Sequence, residues 1–235
     1  MKLAVIPARG GSKRIPRKNI KLFCGKPIIE YSISAAVNSQ LFDYVIVSTD
    51  DKNIAEVSIQ AGAEVPFFRP VELADDFTGT NDVVKHAIKW FTREGVKIDY
   101  ACCIYATAPF LRSQYIIKGY EALINSNHSY AFTVTSFPFP IQRALFINKN
   151  KEVEPYQPEH IFTRSQDLRE YYHDAGQFYW GTAQAFLEDV LTFSTNSLPI
   201  ILPRYLVQDI DTEEDWIRAE LMYKAMQLGS IEAGK

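Results

Sequence analysis

Short apolar runs alternate with amphipathic helical patterns over the first 137 residues, and this alternation restricts the fold more than any other feature. The predicted strands are 3–6, 44–50, 64–70, 100–106 and 129–137. The predicted helices are 27–38, 52–60, 82–93 and 113–125, with Pro27 in the first turn of one and Ser113 capping another. Strands and helices in this rhythm form a parallel sheet covered by helices on both faces. We therefore expect an α/β domain with a mostly parallel sheet sandwiched by helices.

The alternation stops at residues 138–172, which are rich in proline and aromatic residues. This segment is too long for an ordinary loop, and only 165–172 has a pattern that permits a helix. We interpret it as an insertion that packs on another surface, and we expect that surface to belong to a second subunit.

The chain then returns to regular elements. A strand and a short helix are expected within 177–187, and more strand within 198–207. Thr212 and Asp215 have the spacing of a capping box, which predicts a last helix at 213–227. Residues 1–228 are therefore interpreted as one domain, and 229–235 as a frayed tail.

The net charge excludes proteins that bind long polyanions over a broad basic face. The 235 residues carry a formal net charge of −3, so we expect no nucleic-acid partner. The aromatic residues of 171–180 suggest base stacking on RNA, but a stacking platform needs a distributed basic groove beside it. A basic segment on such a chain favours a small anionic ligand.

Targeting signals and cysteines point to a cytoplasmic protein. No apolar run approaches the roughly 20 residues of a membrane span, and four apolar residues before Pro7 predict no secretory signal. Cys24, Cys102 and Cys103 form no metal-binding pattern, and they indicate reduced thiols. We expect Cys102 and Cys103 to pack in the core.

A basic loop follows the first predicted strand directly. Residues 9–21 contain two glycines, a serine, six lysines or arginines and no acidic residue. Glycines permit a sharp turn that exposes backbone N–H groups, and Arg9, Lys13 and Lys18 can neutralise phosphate charge. The loop fits neither standard phosphate-loop motif. A solvated basic turn is the alternative, but the position after a buried strand favours a triphosphate site.

Two other strand ends carry polar residues. Thr49 and Asp50 follow the second strand, and Ala106 and Thr107 follow the fourth. Ligands of open α/β sheets bind beyond the carboxyl ends of the strands. The sequence therefore predicts one site formed by these ends and the basic loop.

Asp209 and Asp211 precede the last predicted helix. Side chains at i and i+2 of a strand point the same way, so the pattern QDIDT directs both carboxylates to one side. Paired carboxylates with phosphate oxygens and water suit Mg²⁺. The alternative is charge complementing a helix dipole, which explains the acidic residues 213–215 better than this pair.

Five motifs occur in one order, and together they resemble the CMP-sialate synthetase group of sugar-activating cytidylyltransferases. They are ARGGSK…RKN…GKPII from residue 8, STD at 48–50, RPVELADD at 69–76, ATAPFLR at 106–112 and QDIDTEED at 208–215. Enzymes of this group transfer CMP from CTP to an acidic sugar of eight or nine carbons. The resemblance spans 2–226, and it implies a Rossmann-like fold of the nucleotide-diphospho-sugar transferase type.

The resemblance also implies roles for individual residues. Phosphate contacts are expected from Ala8, Arg9, Gly10, Gly11, Ser12, Lys18 and Asn19. Cytosine and ribose are expected at Arg69, Thr78 and Thr80. Asp209 and Asp211 match Mg²⁺ ligands, and Arg9, Lys18 and Asp211 match catalytic positions. From the residues alone, 69–80 would be a surface loop in which Asp75 and Asp76 cap a turn.

The sugar-side residues depart from the sialate pattern. Sialate enzymes have Gln near the position of Tyr105 and Arg-Pro-Asn-Gly before the later strand, whereas this chain has HDAGQFYWG there, and SKR replaces Ser-Lys-Gly at 12–14. FPFPIQRA (137–144) and DAGQFYWG (174–181) resemble the pseudaminic acid branch of the family. The sugar-side candidates are Thr107, Gln142, Arg143, Gln177 and Tyr179. Plain core packing is the alternative for Tyr179, and a dimer interface is the alternative for Arg143.

The resemblance implies an enzyme that transfers CMP from CTP to pseudaminic acid with Mg²⁺ as cofactor. Its partners are CTP, an acidic nine-carbon sugar and a second copy of the chain. One alternative is the same reaction on N-acetylneuraminate, legionaminate or the eight-carbon sugar KDO. Another is a nucleotide-binding module without catalysis.

Overall fold

The computed structural model describes residues 1–75 and 78–232, and in these it contains ten strands and six α-helices. The strands are β1 Lys2–Pro7, β2 Leu22–Phe23, β3 Lys26–Pro27, β4 Tyr44–Ser48, β5 Tyr100–Ile104, β6 Tyr130–Ser136, β7 Leu145–Ile147, β8 Val153–Pro155, β9 Tyr172–Thr182 and β10 Ser197–Ile201. The helices are α1 Ile28–Asn38, α2 Lys52–Gln60, α3 Thr80–Arg93, α4 Ser113–Ile124, α5 Ala183–Leu187 and α6 Glu213–Glu232.

The central sheet has the strand order β10-β6-β9-β5-β1-β4. Strand β1 pairs in parallel with β4 and β5, with Val5 opposite Ile46 and Ala4 opposite Cys102. Strand β9 runs antiparallel to both β5 and β6. The prediction of a mostly parallel sheet is confirmed, and the carboxyl ends of β1, β4 and β5 share one edge.

Helices cover both faces of the sheet. One core lies under α1, α2 and α4 and includes Ile33, Ile54 and Ile116. The core on the opposite face lies under α3 and α5 and includes Ile88 and Phe186. Strands β1, β5 and β6 are buried on both faces, which explains why they read as continuous apolar runs.

Helix α6 packs against the β2–β3 hairpin. Phe23 of the hairpin packs edge-on against Trp216 of α6, with ring centroids 5.6 Å apart. The capping box is confirmed, because Asp215 N–H donates to Thr212 Oγ1 at 3.2 Å and Thr212 N–H donates to Asp215 Oδ2 at 2.8 Å. The helix continues to Glu232, beyond the predicted end at 227. Of the predicted tail, residues 233–235 lie outside the described residues.

The segment 138–172 contains short elements rather than a helix. Strands β7 and β8 form a separate antiparallel hairpin, and short 3₁₀ turns make up much of the rest. The pattern that permits a helix at 165–172 does not produce one, because only Ser165–Asp167 forms a 3₁₀ turn and Tyr172 already belongs to β9. Tyr172 pairs with Ser136 of β6, and this distant partner is invisible in the local pattern.

Two other local predictions are wrong. The predicted strand at 64–70 makes only isolated bridges, Ile46 to Glu64 and Thr49 to Phe68. Pro66 and Pro70 lack the N–H groups that a ladder needs. Ser113 does not cap α4, since its hydroxyl donates to the carbonyl of Ala35 at 2.9 Å.

Pro27 precedes α1 as its N-cap residue, one position before the predicted first turn. None of the helices described is both long enough and apolar enough to cross a membrane.

Candidate active site

A cavity of about 260 Å³ lies at the carboxyl ends of β1, β4 and β5. Eight of the predicted site residues line it: Arg9, Ser12, Lys18, Asn19, Arg69, Thr78, Thr80 and Thr107. Lys13, Arg14 and Tyr105 also line it. The basic loop and the strand end at 106–107 therefore meet at this cavity, whereas Thr49 and Asp50 do not line it.

The loop after β1 is held by the neighbouring strand. The N–H of Ala8 donates to Ser48 O at 2.9 Å, and the N–H of Gly10 donates to Asp50 Oδ1 at 2.9 Å. A Cβ on Gly10 would lie 3.1 Å from Asp51 Cβ, so a larger residue would push the loop away from β4.

The expectation that these glycines expose N–H groups is corrected in part. Gly10 N–H is bound to Asp50, and Ser12 N–H donates to Gly10 O at 3.0 Å. The Asp50 carboxylate thus fixes the turn from inside. A Cβ at Gly11 would meet no other atom within 4 Å, so this residue faces open space.

Arg9, Lys18 and Asn19 are positioned by contacts with other segments. Arg9 Nη1 donates to Asp75 O at 2.8 Å, and Asn19 Nδ2 donates to Arg9 O at 2.9 Å. Lys18 Nζ donates to Ile210 O at 2.7 Å. These bonds join the loop to the 69–80 segment on one side and to the segment before α6 on the other.

Arg69 is buried beneath the cavity, with 6% of its surface exposed. Its Nε donates to Ser48 Oγ at 3.1 Å, and its Nη2 donates to Ser48 O. Burial lowers the pKa of Arg69 to about 10, and the Asp50 carboxylate opposes that shift. Its guanidinium is therefore a fixed cation in the cavity wall.

Asp75 makes capping hydrogen bonds of the kind that were predicted for it. Asp75 Oδ1 accepts hydrogen bonds from the N–H and the hydroxyl of Thr78, both at 2.7 Å. This turn leads into α3 at Thr80, where both threonines line the cavity. The companion residue Asp76 lies outside the described residues.

Asp209 and Asp211 lie in an irregular segment, so their prediction as strand residues is wrong. The buried side chain of Ile210, which lies between them, anchors this segment in the core under α6. Asp211 Oδ1 lies 2.9 Å from Arg14 Nη2 and 3.5 Å from Lys18 Nζ.

The two carboxylates nevertheless act on each other. The pKa of Asp209 is raised, mainly because surrounding protein atoms reduce the hydration of its carboxyl group and secondly because of the Asp211 charge. Lys18 opposes this shift. The pair is thus a local concentration of negative charge next to the cationic loop.

The Asp209 and Asp211 carboxylates suit a metal ion that takes most of its ligands from phosphate and water. Among the described residues, no group of three or more His, Cys, Asp or Glu side chains is arranged to hold a metal. Mg²⁺ commonly takes one or two protein carboxylates and completes its shell with phosphate oxygens and water. Asp209 and Asp211 fit that role.

A smaller cavity of about 130 Å³ adjoins the first one and shares Thr80 and Tyr105 with it. Tyr179, a sugar-side candidate, lines this second cavity together with Asn81 and Phe193. The Tyr179 hydroxyl donates to Asp174 Oδ2. Burial, followed by the neighbouring Tyr105, raises the pKa of Tyr179 far above its ordinary value.

The other sugar-side candidates have different surroundings. Gln177 is buried, and its amide donates to Leu206 O. Gln142 is also buried, and its Nε2 donates to Arg169 O at 2.9 Å within the insertion. Arg143 is exposed beside an apolar groove lined by Phe137 and Leu145 rather than the main cavity.

Sequence reasoning missed Arg14 and Tyr105 as members of the site, and it placed Asp50 at the site edge without identifying its bond to the loop. For Arg14 the signal was present, since SKR departs from the usual Ser-Lys-Gly. The bond from Gly10 N–H to Asp50 and the pairing of Arg14 with Asp211 required the folded chain. Cys102 and Cys103 are buried, as predicted, and burial raises the pKa of Cys103 to about 12.

Some known proteins are similar to this chain in sequence, and others are similar to it in fold. The pseudaminic acid cytidylyltransferase of Campylobacter jejuni is 47% identical over 222 residues, which are 94% of this chain and 96% of that protein. The CMP-N,N'-diacetyllegionaminic acid synthase of Legionella pneumophila is 34% identical and covers 96% of this chain and 97% of that protein.

One solved structure, of CMP:2-keto-3-deoxy-manno-octonic acid synthetase complexed with CTP, superposes with a TM-score of 0.68 at 15% identity. It covers 96% of this chain and 99% of that chain, which supports the Rossmann-like fold. The family model described as Cytidylyltransferase matches residues 3–228. The resemblance seen in the five motifs is thereby confirmed, and this chain belongs to the cytidylyltransferase family of nucleotidyltransferases.

Proposed function

We propose that this chain transfers CMP from CTP to the anomeric hydroxyl of pseudaminic acid and releases pyrophosphate. The observation that carries the proposal is the 47% identity, over almost the full length of both chains, to a pseudaminic acid cytidylyltransferase. The site supports the reaction independently, because Arg14 and Lys18, which line the cavity, also contact the Asp211 carboxylate.

The nucleotide half of the cavity suits a triphosphate. Arg9, Lys18 and Asn19 line it from the loop, and phosphate oxygens are good acceptors for their donors. We propose phosphate contacts there and along 8–12, with cytosine and ribose beside Arg69, Thr78 and Thr80. The buried position of Arg69 supports base recognition, because a fixed donor discriminates between base edges better than a mobile one.

In the reaction, the anomeric oxygen forms a bond to the α-phosphorus and the bond to the bridging oxygen of pyrophosphate breaks. This transfer depends on positioning and charge neutralisation more than on covalent catalysis. Arg9 and Lys18 stabilise negative charge on the departing pyrophosphate. The proton of the attacking hydroxyl is released to solvent.

Asp209 and Asp211 are the residues that would hold Mg²⁺. Bound there, the ion would supply charge neutralisation at the phosphates and lower the pKa of the attacking hydroxyl. Asp211 is placed to hold it close to the loop, since its Oδ1 already lies within salt-bridge distance of Arg14 and Lys18.

The sugar half is proposed around Thr107, Tyr105 and Tyr179. Thr107 and Tyr105 line the main cavity, and Tyr105 continues into the smaller one beside Tyr179. Gln177 supports this wall, because its backbone carbonyl accepts the N–H of Tyr105 at 2.9 Å. We propose that Gln142 and Arg143 contribute to sugar binding through the insertion in which they lie.

Pyrophosphate release with CTP, Mg²⁺ and a panel of acidic sugars tests the proposal. We expect release to be fastest with pseudaminic acid, compared with N-acetylneuraminic acid, N,N'-diacetyllegionaminic acid and KDO. Release should also require CTP rather than UTP, because Arg69 is a fixed element of the base site.

The other outcomes separate the remaining functions. Release with a different sugar keeps the reaction and replaces the substrate. CTP binding without release from any sugar indicates a nucleotide-binding module. A steep salt-dependent affinity for oligonucleotides would instead indicate an RNA-binding protein.

We also propose that the insertion makes the chain a homodimer. Its exposed apolar side chains support this, with Ile147 at 73% and Phe162 at 96% exposure. Apolar patches of this kind on a soluble domain mark interaction surfaces. Arg143 and Leu145 border an apolar groove of about 650 Å³ in the same insertion, and a second copy of the chain would cover it together with these side chains.

Light scattering is expected to give twice the chain mass. Replacing Ile147 and Phe162 together by Asp should give the monomer mass, because charge in an apolar interface is costly. Leu221→Asp, on the exposed face of α6 at 62% exposure, is the matched control and should leave the mass unchanged. A monomeric mass for the natural sequence removes this proposal.

A cytoplasmic location is proposed as well. Cys24, Cys102 and Cys103 are free thiols, and thiols persist in reducing compartments. CTP is expected to be available there.

A further inference from the structure

Arg14 occupies a position between the phosphate half of the cavity and the carboxylate pair. Its guanidinium contacts Asp211 Oδ1 at 2.9 Å, and the residue also lines the main cavity. Two thirds of its side chain, 67%, is exposed, so surrounding protein atoms leave room for the side chain to move once the contact with Asp211 breaks.

Lys18 shares the same carboxylate oxygen but is held differently. Its Nζ lies 3.5 Å from Asp211 Oδ1 and 2.7 Å from the carbonyl of Ile210. Only 21% of the Lys18 side chain is exposed. The lysine is therefore anchored by the backbone, whereas the contact with Asp211 holds Arg14 at the carboxylate.

Arg14 and Lys18 both contact Asp211 Oδ1, so their positive charges oppose the binding of a metal ion to the same oxygen. A divalent ion approaching Asp211 Oδ1 meets the guanidinium at close range, and like charges repel. Arg14 has to leave before Asp211 Oδ1 can become a metal ligand, and until then only the second carboxylate oxygen is open to the metal. An exposed ion pair is weak and easily broken, so a stronger anion nearby is sufficient to draw Arg14 away.

We propose that Arg14 exchanges Asp211 for the phosphates of the bound nucleotide, and thereby couples nucleotide binding to opening of the metal site. The proposal rests on the proposed function. Without nucleotide, Arg14 covers Asp211. With nucleotide, the guanidinium binds phosphate oxygens, and the carboxylate is released for the metal. Arg14 is in this account a positioning residue for the metal ligand and a direct contact of the nucleotide.

Coupling of this kind is reciprocal. If nucleotide raises the affinity for metal by freeing Asp211, metal raises the affinity for nucleotide by the same factor. Arg14 then contributes one part of that factor, and direct bonds from the metal to phosphate contribute the rest. A variant without the guanidinium loses only the first part.

The test measures Mn²⁺ binding by the full chain, from the electron paramagnetic resonance signal of free Mn²⁺. It is run without nucleotide and with a CTP analogue that carries a methylene group between the α- and β-phosphates. In Arg14→Gln we expect Mn²⁺ to bind about threefold more tightly without the analogue, in line with the small energy of an exposed ion pair. With the analogue we expect no tightening, because Arg14 has already left Asp211.

Affinity for the analogue without metal provides a second readout. We expect it to fall about tenfold in Arg14→Gln, since a charge-assisted contact with phosphate is lost. Arg14→Lys should restore both the weaker Mn²⁺ binding and part of the analogue affinity. If Arg14→Gln is unfolded, Arg14→Lys provides the test instead, through its partial loss of analogue affinity.

Arg17→Gln is the matched control, because it removes the same charge from the same loop. Arg17 is exposed, and neither the cavity lining nor the ion pairs of the described residues include its side chain. It should leave Mn²⁺ affinity unchanged. Equal tightening in both variants attributes the effect to net charge and overturns the exchange.

The exchange and the proposed function fail in different ways. If the natural protein binds the analogue and Mn²⁺ but Arg14→Gln tightens Mn²⁺ equally with and without the analogue, only the exchange is overturned. Unchanged Mn²⁺ affinity in Arg14→Gln has the same meaning. If the natural protein does not bind the analogue at all, the proposed function itself is overturned.

Discussion

Replacing Lys18 by Met is expected to lower kcat/KM for CTP by about 10²- to 10³-fold, the usual loss when one electrostatic contact to the transition state is removed. The Lys18 ammonium lines the cavity, where it lies 2.7 Å from Ile210 O. Methionine keeps the length of the side chain and removes its charge. The measurement is the initial rate of pyrophosphate release with CTP and pseudaminic acid.

Lys21→Met is the matched control for this prediction. Lys21 also joins the loop to α6, because its Nζ lies 2.8 Å from Glu213 Oε2 and 4.5 Å from the ring centroid of Trp216. It does not line the main cavity. We expect its kcat/KM to change less than about threefold, since exposed pairs contribute little. Equal losses in the two variants would mean that Lys18 acts by joining segments and not by its charge.

Stability measurements separate a folding effect from a catalytic one. Lys18→Met leaves the carbonyl of Ile210 without its lysine donor, which is expected to cost about 1 kcal/mol of unfolding free energy. Urea unfolding of both variants measures this cost directly. A rate loss far larger than any unfolded fraction can explain belongs to the chemistry.

The parts of the fold that the sequence predicted are those specified by local patterns. Strands β1 and β5 are continuous apolar runs, and α3 places its apolar residues on one face. The insertion has neither pattern. Strand β9 runs antiparallel between β5 and β6, which are distant from it in the chain, so its position depends on the whole sheet and not on a local pattern.

The site follows the same division. The basic loop and 106–107 were predicted to meet because strand ends of a parallel sheet share an edge, and 106–107 line one cavity together with Arg9, Lys18 and other residues of the loop. The pairing of Arg14 with Asp211 joins opposite ends of the chain across an irregular segment. No spacing rule reaches that far, although the departure from the family motif at Arg14 marked the position.

The prediction that applied ordinary strand geometry to Asp209 and Asp211 was wrong. The pair Asp209 and Asp211 was expected on a strand, yet no strand pairs with this segment in the described structure. The carboxylates are nevertheless close enough for the Asp211 charge to raise the pKa of Asp209, and the buried side chain of Ile210 lies between them in the chain.

Asp211→Asn is expected to lower kcat by about 10²-fold or more at saturating CTP and sugar, because the amide loses the charge that would hold Mg²⁺. Asparagine keeps the shape of the side chain, and the backbone N–H of residue 211 keeps its bond to Asp215 Oδ2 at 3.2 Å. Affinity for CTP measured without metal should not fall, since removing an anion near Arg14 and Lys18 makes the loop more attractive to phosphate.

Asp215→Asn is the matched control for the metal assignment, since it makes the same change four residues later. Asp215 receives bonds from Thr212 N–H at 2.8 Å and Thr212 Oγ1 at 2.7 Å as part of the helix cap. We expect it to lose about 1 kcal/mol of stability and to keep most of its rate. If Asp211→Asn retains full activity, Asp211 does not hold the metal. If its metal-free CTP affinity falls with its rate, its role is to position the loop, and the two carboxylates do not act as metal ligands.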